Sequence, residues 1–401
     1  MIISRLGRVS SIIDKRPGVT EIKVLVEGKE EKAINYDLLT GTVAAGDLVK
    51  LNTTAIELNL GTGGYHFVMS VEGKKGPDPP REGHIMKLRY TPSQVKVLSV
   101  EEEDHPDRYS YNSTRSLKGT PVVVGTLHSM VAPVTAAVKY SASPGTRVVY
   151  LMTDGAALPI WLSRQIHQLK LKGLVDETVT CGHSFGGDHE AINIYSGLLW
   201  ARASGADVIV ISMGPGIVGS ASQFGHTALE QGEIVNAVNI LGGRAIAVPR
   251  ISFADPRPRH FGLSHHTRTA LGSVALTPCV IPLPVMKGRK KSCIYSQMKE
   301  SGFFERHRIV EVDTGNFKKL LDSFKLEVTT MGRSPVEDPE FFETAWAAGI
   351  YASGLLQPGV DELPDGAVNQ TVSPEESNKF GHLSAEKESL ISTNQSHNVT
   401  P

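Results

Sequence analysis

The sequence predicts an α/β protein: a mostly parallel, doubly wound (Rossmann-like) sheet preceded by a small N-terminal β-barrel-like module. Three observations carry this. From Thr120 onward, short apolar runs alternate with segments of helical period, the pattern of strand–helix–strand units. Runs such as Val208-Ile209-Val210-Ile211 are apolar at every position, as strands buried on both faces must be. The residues before about 100 hold short strand-like segments parted by turn residues, with no long amphipathic helix.

In the first module, residues 1–100, strands are expected over 5–13, 21–26, 31–35, 47–51 and 65–71, with Arg16-Pro17-Gly18 and Ala45-Gly46-Asp47 as turns. Closing them into a barrel would remove exposed strand edges. Residues 101–119 are polar and charged and read as a linker or long surface loop. The second domain, 120–357, alternates strands at 121–126, 147–152, 177–181, 207–213, 244–251, 280–283, 308–312 and 328–330 with helices at 132–140, 158–172, 189–202, 227–241, 265–273, 292–300, 317–324 and 341–355. Leu158, Trp161, Leu162, Ile166 and Leu169 make the apolar stripe of one such helix. Residues 358–401 are rich in Pro, Ser, Asn and Glu, which predicts a disordered tail.

Composition narrows the function classes. Of 401 residues, 41 are Lys or Arg and 42 are Asp or Glu. That balance speaks against a general nucleic-acid binder, which carries a basic excess. Cys181, Cys279 and Cys293 are far apart and form no C-x-x-C pair, so reduced thiols are expected rather than a disulfide framework. The N-terminus lacks signal-peptide character and no apolar run reaches membrane-spanning length. The expectation is a cytoplasmic protein without membrane association; its oligomeric state is not legible.

In open α/β sheets, ligands bind beyond the carboxyl ends of the strands. The groups there are His128 with Ser129, Thr153-Asp154-Gly155, His183-Ser184 with Gly186-Gly187-Asp188, Gly214-Pro215-Gly216, and Arg250, Ser252 and Asp255 leading to His265-His266. Together they are expected to line one crevice. His183, Asp188, Asp255 and His265 are its candidate catalytic groups, since imidazole titrates near neutral pH. His128, Asp154, Gly186, Gly187, Gly214, Gly216, Arg250 and Arg257 are its candidate ligand-binding groups. Each has a plainer reading: Asp154 and Asp188 suit helix caps, and the Asp255-Pro256-Arg257-Pro258-Arg259-His260 loop is either an anion clamp or solvated charge.

Two stretches match chemical motifs. Gly182-His183-Ser184-Phe185-Gly186 fits G-x-S-x-G, which would make Ser184 the nucleophile of a serine hydrolase. No acid and histidine follow it in the right order, so a glycine-permitted turn is the preferred reading. Gly214-Pro215-Gly216-Ile217-Val218-Gly219 fits G-x-G-x-x-G, but the strand before it is not the first of its sheet and the next ends in Arg250 rather than an acid. A glycine loop approaching an anion is the better reading. No histidine spacing matches a metal motif, and adjacent His265 and His266 are expected to diverge, so no metal is assigned. His226, Glu230 and Glu233 read as a solvated helix face. Lys87, Arg89 and Tyr90 read as an exposed strand with alternating basic residues.

The segments LNTTAIELNLGTGGYHFV, GHIMKLRYTP, MTDGAALP, GHSFGGDHEA, GADVIVISMGPG, DPRPRHFGLSHH and TMGRSPVEDPEFF, in this order, resemble an uncharacterised bacterial family, domain of unknown function 3866. The resemblance runs to about residue 355 and implies a bacterial cytoplasmic protein, with no catalytic role to carry over. Three functions stay open: a domain that binds or acts on a small anionic, phosphorylated or nucleotide-like ligand; a serine hydrolase; and a non-catalytic regulatory or binding protein. The cofactor is unknown.

Overall fold

The computed structural model describes residues 2–61, 63–78 and 81–357; the tail expected at 358–401 lies outside them. Five strands close a barrel: β1 (Ser4–Arg16), β2 (Val19–Val26), β3 (Lys29–Tyr36), β4 (Leu48–Asn52) and β5 (Tyr65–Val71), in the order β1-β2-β3-β5-β4. β1 and β4 pair to complete the ring, and β3 meets β5 in parallel. Alternate residues point inward, so Val9, Ile22, Val24, Ala33, Val49, Leu51, Val68 and Val71 fill the interior. Register shifts between Val9 and Ser11 and between Ile12 and Asp14 let the long β1 serve two neighbours.

The barrel leads to a hairpin, β6 (Ile85–Lys87) with β7 (Val95–Val97). This hairpin is not the exposed basic strand expected. Lys87 is buried, and its Nζ donates to Glu190 Oε2 at 2.6 Å and to the carbonyls of Ser184 and Thr180 at 2.6 and 3.0 Å. A lysine enters a core only when all its donors are met. Residues 101–119 differ from a free linker as well: they carry the short helix Arg108–Ser113 and bury Leu117 and Glu102.

The second region is built on strands β8 (Pro121–Val124), β9 (Val148–Thr153), β10 (Glu177–Cys181), β11 (His189–Ala191), β12 (Val208–Met213) and β13 (Arg244–Ala247). A small antiparallel pair, β14 (Ile251–Ser252) and β15 (Gly262–Leu263), precedes β16 (Val280–Pro284) and β17 (Arg308–Val312). Apart from that pair, these strands form one eight-stranded parallel sheet, ordered β11-β10-β9-β12-β8-β13-β16-β17. The α/β class and the barrel module are as the sequence predicts. Pro282 and Pro284 offer no N–H to a ladder, and β16 meets β13 only at Ile246–Val280.

Helices cover both faces, and the strands feed them alternately. Val122, Val124, Val149, Leu151, Ile209 and Ile211 face the helices Ile194–Ala203, Glu230–Ile240 and Gly288–Glu300. Their neighbours Val123, Val148, Tyr150, Met152, Val208 and Val210 face Val131–Ser141 and Pro339–Gly354, where Trp346 is fully buried. Full burial of each such side chain contributes about 1.5–3 kcal/mol, so Val208–Met213, apolar at five of its six positions, acts as a central strand. No helix among the described residues is long and apolar enough to cross a membrane.

Candidate functional site

The carboxyl ends of the strands do not open into one crevice. The candidate groups fall instead into a cleft that includes His128, Gly214 and Gly216, a carboxylate pair of Asp154 and Glu230, and a histidine cluster around His265.

The cleft, about 900 Å3, lies between the barrel and the sheet. Its walls include Asp14, Lys15 and Arg16 from the end of β1, Arg164 and Lys172 from the helix Arg164–Leu171 and its end, His128 and Ser129 after β8, Gly214-Pro215-Gly216 after β12, and the segment 325–331. Of the expected ligand-binding groups, His128, Gly214 and Gly216 therefore share a wall. Gly214 must be glycine because a Cβ would collide with the Ala157 carbonyl, and Gly216 holds φ of 107°. His128 is fixed by Ser163 Oγ at 2.6 Å and Tyr150 OH at 3.2 Å, and burial pushes its pKa down to about 4. It is a neutral wall, not a cation.

Charge in the cleft comes from residues that sequence reading passed over. Glu21 binds Arg16 and Arg164, joining the barrel to the sheet domain; these arginines outweigh burial and hold its pKa at about 2. Lys15, Lys172 and Lys325 are exposed and make no ion pair among the described residues. The segment 328–330, expected as a strand, contributes lining instead, with one bridge between Thr330 and Arg333.

The middle station pairs Asp154 with Glu230. Asp154 Oδ2 accepts the His183 N–H at 2.9 Å. Glu230 begins the helix after β12, and burial, with Asp154 and Glu233 adding repulsion, pushes its pKa to about 7. A Cβ on Gly155 would lie 2.8 Å from Glu230 Oε2, which has no hydrogen-bond partner. The solvated face expected for His226, Glu230 and Glu233 is wrong for the first two: His226 is buried and Glu230 largely so.

The third station is the histidine cluster. His226 comes from the loop after β12; His265 and His266 open the short helix His265–Thr269 behind the cap Ser264. The expected divergence of His265 and His266 does not hold at this helix start: their ring centroids are 4.4 Å apart, and His226 stacks on His266 at 4.1 Å. His260 lies about as close, 5.0 Å from His265 and 4.9 Å from His266, with Nδ1 2.7 Å from Ser264 Oγ. Burial, then neighbouring imidazoles and arginines, depress His265 to about 4, His260 to about 3 and His266 to about 2.

Beside the cluster, Asp255 is clamped by two arginines. Arg250 reaches it at 2.9 Å, and Arg257 spans both its oxygens at 2.9 and 2.8 Å. Despite burial, Arg257 and Arg250 hold the carboxyl well below the usual range. Arg333 approaches at 3.5 Å and also binds Asp338, which accepts from Ser252 Oγ. Arg257 is thus spent on a carboxylate of its own loop, and Asp255 is held as a counter-ion rather than freed as a base.

The remaining candidates serve the fold. Ser184 is fully buried, donates its Oγ–H to the Leu158 carbonyl at 3.0 Å and leads to strand β11, not to a helix. A nucleophile elbow needs an exposed hydroxyl between strand and helix; this turn is not one. The helix expected over 189–202 begins only at Ile194, behind an Asn193–Ser196 capping box. The chain returns directly from β10 to β11, which carries Asp188 back to the start of β10. There, at the amino end of the strand, it accepts the Thr178 N–H at 2.8 Å and pairs with Lys170. His183 Nδ1 accepts the Leu88 N–H at 2.9 Å. Gly186 clears the Trp161 ring, and Gly187 donates to Thr180 Oγ1 at 3.2 Å.

A family model described as a protein of unknown function (DUF3866) matches residues 32–349. None of the curated proteins matches the chain.

Proposed function

Because the chain belongs to the DUF3866 family, whose description names no activity, we propose a function from its own geometry: it binds a small anionic ligand in the cleft between barrel and sheet. One observation carries this reading. Three exposed lysines without an acidic partner, Lys15, Lys172 and Lys325, converge on a cleft floored by the glycine loop Gly214-Pro215-Gly216. Side-chain cations would meet the charge, while Gly214 and Gly216, which carry no side chain, let backbone approach the ligand. The volume, about 900 Å3, suits a phosphorylated or nucleotide-sized molecule. Arg16 and Arg164, paired with Asp14 and Glu21, shape the wall and leave the cleft's free charge to the lysines.

A calorimetric and thermal-shift titration with pyrophosphate and a nucleoside monophosphate tests this. Wild type is expected to gain about 2.7 kcal/mol at a hundredfold excess over Kd. Lys15→Gln with Lys325→Gln should weaken binding about tenfold or more and flatten its salt dependence. Equal binding by the double variant, or no response to either anion, overturns the reading.

A further inference from the structure

We propose that His226, His265 and His266 form a site for one divalent transition-metal ion of the zinc class, with a fourth position left for water or an anionic group. This rests on residues separate from those of the cleft.

Convergence is the first argument. One ligand atom from each imidazole lies within 4.8 Å of the others, in two chain segments brought together only by the fold. Three neutral nitrogen donors are a ligand set that borderline cations accept.

Unmet hydrogen bonding is the second. Both ring nitrogens of His226, Nε2 of His265 and Nδ1 of His266 are buried without a partner. A buried ring nitrogen left bare is costly, and each of the three rings carries at least one. A bound cation would satisfy a nitrogen on each ring at once, which ring stacking alone cannot.

Space is the third. A Cβ on Gly219 would stand 2.7 Å from His226 Cβ and 2.9 Å from His266 Nε2, so a larger residue would push into the cluster. His260, its Nδ1 tied to Ser264, stands as a neighbour that orients the ring wall. Arg250 and Arg257, already balanced against Asp255, add positive potential beside the rings. That potential disfavours a bare cation and favours an anion as its fourth ligand, so the site is built for a metal with an anionic partner.

The test uses the full chain, stripped with a chelator and titrated with zinc sulfate, with stoichiometry read by calorimetry and elemental analysis. One equivalent is expected, and His226→Ala and His265→Ala should each weaken binding about a hundredfold or more. His84→Ala, whose side chain is 82% exposed outside the cluster, should bind as wild type does. Cobalt substitution of the wild-type chain gives a second readout that needs no variant to fold: visible absorption of a four-coordinate, nitrogen-bound ion. No stoichiometric zinc, a six-coordinate cobalt spectrum, or unchanged affinity in the two histidine variants each overturns the site.

Discussion

The cleft and the histidine cluster lie at the same end of one sheet, yet they present opposite chemistry. The cleft is open, and its free charges are lysines in water. The cluster is largely closed, its rings neutral and several of their nitrogens unmet. Exposed charge costs little to hold and attracts at range, but salt screens it. Buried unpaired nitrogen is expensive and short-ranged, so its partner must be specific and stoichiometric. The loop 214–229 after β12 borders both, with Gly214 and Gly216 at one end and Gly219 and His226 toward the other. One segment thus feeds two environments that obey different rules.

The sharpest way to break this contrast is to disturb the closed side. Asp255→Asn removes the counter-charge of Arg250, which is 2% exposed, and should cost about 3–5 kcal/mol in urea unfolding. Zinc affinity should fall with it while the anion response of the cleft persists. A loss under about 1 kcal/mol would show that the network is solvated after all.

Glu230→Gln probes the ground between the two regions. The folded carboxyl keeps its proton to about pH 7, whereas the unfolded one releases it near 4.5. Wild-type stability should therefore fall as pH rises through that window. The variant should lack this slope, matching wild type near pH 4 and exceeding it by about 2 kcal/mol near pH 8. Parallel stability–pH curves would mean that the carboxyl is not desolvated. On the open side the effect should be smallest: Lys172→Gln is expected to change unfolding by less than about 0.5 kcal/mol while reducing anion affinity two- to threefold.

What was legible in the sequence follows the same division between local and distant physics. Strands such as Val148–Thr153 and Val208–Met213 announce themselves because burial on two faces demands a nearly continuous apolar run. The misplacement of Asp188 came from assuming a helix where β10 returns directly to β11; the Asn193-Ile194-Tyr195-Ser196 cap was the signal that the helix starts later. The meeting of His226 with His265 and His266 has no local signature, because the two segments are about 40 residues apart and only the fold brings them together. Lys87 was misread for a related reason: its acid, Glu190, is supplied from far along the chain.

The joint between barrel and sheet domain has an optical consequence. Trp161 sits against Gly18 of the β1–β2 turn on one side and Gly186 on the other, touching the apolar clusters of both regions. Trp200 and Trp346 are buried within opposite layers of the sheet domain, at 2% and 0% exposure. The chain therefore carries a built-in fluorophore at its seam and two in its interior. Separation of the barrel would wet one indole and leave two dry, giving a partial red shift in emission, whereas global unfolding would shift all three.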